Sequence, residues 1–185
     1  NLEGIKQEKM QTFIDSMSDS GKKPRFDEYI NEANAMVSDG IFDVSDWEGR
    51  EEKVLKTLDN ISKNICRSVT VSTMHGCPPK EIEAICSYLL TEKKLDTFVK
   101  LNPTLLGYDT VRKVLDDLGY GYVVLKRESF EHDLQLVDAK AMLHRLVDLA
   151  KKEGRKFGVK LTNTLGNVNP QDVLPGDERY GSGRI

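Results

Sequence analysis

The sequence predicts an α/β fold, part of a (β/α)8 TIM-type barrel with parallel strands preceded by a helical segment, and three observations predict it. From Ser68 onward, short β-branched runs alternate with amphipathic runs of helix length. Each strand-like run keeps its apolar residues on one parity: Val69 and Val71, Val99 and Leu101, Val123 and Leu125, Val159 and Leu161. The opposite parity carries Thr70 and Ser72, Lys100 and Asn102, Lys126, then Lys160 and Thr162. Strands separated by helices return parallel, because a parallel return needs a crossover of a dozen or more residues. An open doubly wound sheet would bury the lysine side under helices, where an unpaired ammonium is costly. A barrel instead aims it at a ligand in the mouth, at the carboxyl ends of the strands.

Two regions follow, residues 1–66 and residues 67–185. The first reads as helical and charged, an insertion or the entry to the barrel. Met10, Phe13, Ile14 and Met17 share one helical face, as do Phe26, Tyr29, Ile30 and Ala33, then Leu58, Ile61 and Ile65. The strings "SDSGKKP" and "SDGIFDVSDW" punctuate it. In the second region "SVTVSTM" reads as a strand and "PPKEIEAICSYLLTEKK" as a helix with proline in its first turn. "TFVKLNP" is a strand, "YDTVRKVLDDLG" a helix and "YGYVVLKRE" a third strand. "DLQLVDAKAMLHRLVDLAKKEG" is a long helix ended by Gly154, and "KFGVKLTNT" a fourth strand. The strings "VKLNPTL" at 99–105 and "VKLTNTL" at 159–165 form a short internal repeat, with lysine at the same phase in both.

Composition narrows the function classes. The 185 residues carry 27 basic and 30 acidic side chains, a net charge of −3 with the signs well mixed, so nothing directs the chain to nucleic acid or an anionic membrane. Three cysteines, with no CxxC pair, form neither a disulfide framework nor a metal or iron–sulfur ligand set, and a reducing cytoplasm is the expected compartment. No apolar stretch approaches a membrane span, and the first residues do not read as a charged-then-apolar leader. A first residue other than methionine and a last stretch in a polar loop read as an excised fragment.

The chemistry concentrates at strand ends. "STMHGCPPKE", residues 72–81, puts Cys77 between a strand and a helix N-terminus, where the dipole favours a thiolate and the residue could serve as nucleophile or general acid/base. The bland alternative is a tight bend. His75 could orient Cys77 or a substrate, or be a solvated turn residue; His132 and His144 have no metal-ligand spacing, and Cys86 sits on an apolar helix face. Lys100, Lys126 and Lys160 each need an anion, which could be a reduced flavin ring, a phosphate, a carbonyl substrate held as a Schiff base, or an acidic side chain. Asn102 and the "LTNT" string, with Thr162, Asn163 and Thr164, suit the edge of a planar polar ring.

The strings "NLEGIKQ", "STMHGCPPKEIEAIC", "TFVKLNPTLLGY", "KFGVKLTNTLG" and "LPGDERYGSGR" resemble the YgfK family, described as selenate reductase subunits and large iron–sulfur flavoprotein oxidoreductases. The resemblance implies an N-terminal barrel similar to dihydroorotate and dihydropyrimidine dehydrogenases, with FMN possible in the intact barrel. It implies FAD, NAD(P)H and [4Fe-4S] modules elsewhere in the full-length protein. Class 1 dihydroorotate dehydrogenases carry N-L-S-C-P-N with the cysteine as base; "TMHGCPP" keeps Cys77 and Pro78 but has Met74 in place of the asparagine. Their flavin-contacting G-V-K-L-P-P lysine has two counterparts, Lys100 and Lys160, and the T-N-T of the dihydropyrimidine enzymes matches Thr162, Asn163 and Thr164. Their S-G-T-A-I resembles Ser182, Gly183 and Arg184.

The expected function is therefore that of a cytoplasmic oxidoreductase acting on a small reducible molecule. Cys77 exchanges a proton, Lys100 or Lys160 supports a reduced flavin, and Asn102, Lys126, Thr162, Asn163 and Thr164 hold the cofactor or ring edges. No metal site is expected, and the fragment alone is expected to be inactive. Neither FMN nor another cofactor is expected to bind it tightly, because the loops that commonly grip phosphate in such barrels are not recognisable in it. A competing reading is a degenerate barrel that docks partner subunits of a molybdenum-hydroxylase-like complex. A Schiff-base lyase is a third. Open strand edges would favour self-association of the fragment.

Overall fold

The computed structural model describes residues 1–42, 50–73, 75–170 and 178–181. Its contacts divide the chain into Glu3–Arg67 and a second unit formed by Asn1–Leu2 with Ser68–Ile185.

In the first unit, α2 (Glu8–Ser18) follows a short α1 (Leu2–Lys6), and α3 (Pro24–Ser38) packs against α4 (Arg50–Asp59). Proline in the first turn of α3 suits a position whose N–H has no intrahelical partner. The helical reading ends too late, because α4 stops at Asp59 and Ile61 and Ile65 lie beyond it, 44% and 51% exposed. The stretch 60–67 is instead tied back by its backbone: Ser20 N donates to Lys63 O at 2.8 Å and Cys66 N to Met17 O at 2.8 Å.

The second unit is built on a parallel sheet of β1 (Ser68–Ser72), β2 (Asp96–Leu101) and β4 (Phe157–Leu161), with β2 in the centre. The register aligns Val71, Val99 and Val159 in one row and Ser72, Lys100 and Lys160 in the next. Along β2 the burial alternates, with Thr97, Val99 and Leu101 buried and Phe98 and Lys100 half-buried. That is the period-2 signature of a strand covered on one face. The cover is α5 (Pro79–Thr91) and α8 (Leu136–Lys152), which pack on each other and on β2 and β4 respectively. Helical spacing brings Ile82, Ile85, Cys86, Leu89 and Leu90 of α5 and Ala139, Met142, Leu146 and Ala150 of α8 to the shared seam, where all are buried. At the solvent side of the seam Arg145 clasps Glu83 with two hydrogen bonds of 2.6 and 2.7 Å. The α8 exit uses Gly154 at φ +64°, with Arg155 N donating to Ala150 O at 2.8 Å, the left-handed stop expected of that glycine.

The expectation of four parallel strands is corrected at the third. The run "YGYVVLKRE" contributes only the two-residue β3 (Val124–Leu125), which pairs antiparallel with β5 (Leu165–Val168); β5 in turn pairs antiparallel with β6 (Glu178–Gly181). Two local causes are visible. Arg112, on α6 (Tyr108–Asp117), donates from its guanidinium to the carbonyls of Tyr120 and Val123, taking backbone acceptors a longer strand would need. Lys126 then enters α7 (Arg127–His132) directly. Leu125 is buried, but in a separate cluster with Val111, Leu115, Phe130 and Leu165. Among the described residues the parallel sheet has three strands, and no helix is long and apolar enough to cross a membrane.

Candidate active site

The carboxyl ends of β1, β2 and β4 converge with the link between α7 and α8. After β1 the chain turns at Gly76, whose φ of +76° lies in the left-handed region open to glycine, and Pro78 stays extended before Pro79 opens α5. At the end of β2, Asn102 precedes a 3-10 turn, Pro103–Leu106. Just past β4, Asn163 N donates to Leu101 O at 3.1 Å, carrying the "LTNT" segment alongside the end of β2.

The centre of this region is a residue the sequence reading left without a role. The Asp133 side chain is 1% exposed and receives four donors. Gly76 N reaches Oδ1 at 2.7 Å, while His75 Nδ1, Thr104 Oγ1 and Asn102 Nδ2 reach Oδ2 at 2.8, 2.8 and 3.1 Å. Burial alone would push this carboxyl up, but the bonds from His75, Gly76 and Thr104 outweigh it and hold it below the ordinary carboxylate range, so it is an anion. Oδ2 therefore takes the Nδ1 proton of His75, which fixes the imidazole tautomer. Thr104 is buried as well. The sequence marks Asp133 only as the first residue of the run read as a long helix, which in the structure begins at Leu136, and that placement carries no information on burial.

Cys77 is half-buried on this turn. Its expected activation toward thiolate is corrected: burial, and then the Glu81 carboxylate, push the thiol up, against a smaller opposing effect of the chain's amino terminus. At neutral pH it holds its proton, which suits a proton donor better than a nucleophile. Cys86, fully buried on α5, is pushed up to about 12 by burial and then by Glu83. Thr73, Gly76, Cys77, Lys100, Asn102 and Asp133 line one cavity of about 10 Å³, room for about one water molecule. Asn102 Oδ1 is buried there without a hydrogen-bond partner.

Lys100 and Lys160 are direct partners in the β2–β4 register, so they lie on one side of the sheet, opposite the helices. Lys100 is half-buried and Lys160 exposed, and among the described residues neither forms an ion pair. They do not share one cavity: Lys160 lines a separate open depression with Thr70 and Phe98. Lys126, expected on the same side, is elsewhere because β3 left the parallel sheet; it lies 3.9 Å from Glu128. Thr162 is exposed, and Asn163 spends its side-chain oxygen on Thr164 N at 2.9 Å. His132 and His144 are exposed, and no group of three or more His, Cys, Asp or Glu suited to a metal occurs among the described residues. Met74 and the Ser182–Gly183–Arg184 string lie outside the described residues.

Comparison with known proteins gives a consistent family. A family model described as "Oxidoreductase YgfK, N-terminal TIM-barrel domain" matches residues 1–185. Proteins described as "Putative oxidoreductase YgfK" from Escherichia coli strain K12 and from Escherichia coli O157:H7 are each 54% identical over 185 residues. The match covers 100% of this chain and 18% of each relative's length. No solved structure matches the chain. A family match over residues 1–185, with relatives 54% identical over the same length, means that the chain belongs to the YgfK oxidoreductase family, in the part that the family model describes as its N-terminal TIM-barrel domain.

Proposed function

We propose that this domain is the substrate-facing part of a cytoplasmic flavin-dependent oxidoreductase that reduces or oxidises a small molecule, with Cys77 as the proton donor and acceptor. The observation that carries the reading is the row Ser72–Lys100–Lys160, two cations that form no ion pair among the described residues, on the helix-free side of the sheet at the same strand ends as the Cys77 turn. Like charges placed opposite each other in a ladder are unfavourable, so the row is best explained by an anion that it serves.

The residues present fit the ring portion of FMN. Lys100 or Lys160 would lie against the ring edge where negative charge develops, and Asn102 Oδ1, an acceptor without a donor, would take a ring or substrate N–H. Thr162, Asn163 and Thr164 would line the same end of the sheet. The flavin supplies the hydride chemistry when bound. Cys77 would hold the proton exchanged with the substrate, and Lys100 would supply positive charge. FAD and [4Fe-4S] clusters would belong to other parts of the long polypeptide. Selenate, the label attached to the family, is one reducible substrate to try among others.

A second reading, a barrel that docks molybdenum-hydroxylase-like subunits without catalysis of its own, is favoured by the small size of the cavity beside Cys77. Cofactor analysis of the purified full-length protein separates the two. Stoichiometric FMN, lost or loosened in Lys100→Met, supports the enzyme; FAD alone, with no FMN taken up on reconstitution, overturns it in favour of the platform.

A further inference from the structure

The network around Asp133 joins segments distant in sequence: the 75–77 turn, the β2 end at Asn102, the 3-10 turn at Thr104 and the α7–α8 link. A carboxylate buried this deeply costs several kcal/mol to desolvate, and its attachments are what offset that cost. Two of its four partners, His75 and the Gly76 amide, immediately precede Cys77. Asp133 and Cys77 also line the same one-water cavity. A hydrophobic residue would fill the space between α7 and α8 at lower cost, but it would remove the acceptor that the Gly76 amide and His75 Nδ1 now use.

We infer that Asp133 is a positioning residue that, through His75 and the Gly76 amide, holds the turn presenting the Cys77 thiol. The inference rests on the reading of Cys77 as the proton-exchanging group for its functional meaning, but its geometry stands alone. The carboxylate acts through two different atoms. Oδ1 anchors the backbone at Gly76, and Oδ2 fixes the imidazole by taking the Nδ1 proton. Substitutions can therefore separate the two. Asp133→Asn keeps an acceptor for Gly76 but turns the other atom into a donor facing three donors. His75→Asn keeps a donor near the position of Nδ1, while His75→Ala removes it.

The test is peptide-resolved alkylation of the full-length protein with iodoacetamide, reading Cys77 and Cys86 together. Cys86 lies on α5, the helix that follows the Cys77 turn, is fully buried, and reports loss of the fold. Removing a hydrogen bond to a charged group shifts a local opening equilibrium by roughly 10- to 100-fold. Cys77 labelling should therefore rise by about that factor in Asp133→Asn and in His75→Ala, and stay within about 3-fold of wild type in His75→Asn, with Cys86 unchanged throughout. Unchanged Cys77 labelling in Asp133→Asn and His75→Ala would overturn the inference. So would a parallel rise of Cys86, or His75→Asn behaving as His75→Ala. Should Asp133→Asn fail to fold, the two His75 variants decide by the same criteria. Failure of the underlying functional reading has a different signature: full turnover retained in Cys77→Ala, whatever the labelling rates.

Discussion

Replacing Lys160 by methionine should stabilise the domain rather than weaken it. Ladder neighbours stand about 4.8 Å apart, and Lys100 and Lys160 are such neighbours on one face. With the stems running side by side, ammonium groups roughly 6 Å apart repel by about 0.7 kcal/mol in water, and by about twice that where protein replaces part of the solvent. Salt at about 0.15 M removes roughly half of this. The exposed Lys160 forms no ion pair among the described residues, so its removal breaks none of those described. The net expectation for Lys160→Met is a gain of about 0.5 kcal/mol, read as a rise of about 1–2 °C in the melting temperature at low salt. The gain should shrink toward zero at about 0.5 M NaCl, where the screening length is a few ångström. Inorganic phosphate at constant ionic strength should raise the wild-type midpoint more than that of the variant. Differential scanning fluorimetry across salt and phosphate measures both effects. A destabilisation that does not depend on salt would refute the reasoning, since it would mean that the Lys160 stem packs and its charge does not matter.

Other outcomes follow from named contacts. Gly158→Ala places a Cβ 2.8 Å from Cδ1 and Cε1 of Phe98, so it should cost about 1–3 kcal/mol in urea unfolding, and Phe98→Leu should recover part of that. In the alkylation experiment on wild type at pH 8, Cys86, pushed up to about 12, holds a thiolate fraction near 10⁻⁴. It should label at least about 100-fold more slowly than Cys77, and equal rates would overturn the assignment of Cys86 to the α5–α8 seam. Arg145 holds the Glu83 carboxyl below its ordinary range, chiefly by hydrogen bonding. A depressed carboxyl contributes stability above its unfolded value and loses it as the pH falls through the folded value. Arg145→Met should therefore lower stability slightly at pH 7, as exposed ion pairs do, and the difference from wild type should vanish as the pH falls through the lowered Glu83 value, below the ordinary carboxylate range. A pH-independent difference would assign the loss to packing of the arginine stem.

Period and punctuation were legible from the chain because they are local. The strands around Val69–Val71, Val99–Leu101 and Val159–Leu161, the proline start of α5 and the Gly154 stop of α8 all follow from side-chain alternation, helical spacing and backbone freedom within a few residues. The shared phase of Lys100 and Lys160 was legible too, since parallel strands in register preserve parity. The third strand was not. "YGYVVLKRE" has a strand's composition, but its backbone acceptors are taken by Arg112 from a neighbouring helix, and its partner is an antiparallel strand some forty residues later. Cys77 was visible as a residue at a helix start, but its thiol rises because burial and then Glu81 outweigh the lowering effect of the chain's amino terminus, and burial belongs to the packed molecule. Asp133 was least legible of all. Its role rests on four donors drawn from three other segments, up to 58 residues away, and a convergence of that kind leaves no period, spacing or composition in the sequence, because only the packing of the strand ends against the α7–α8 link creates it.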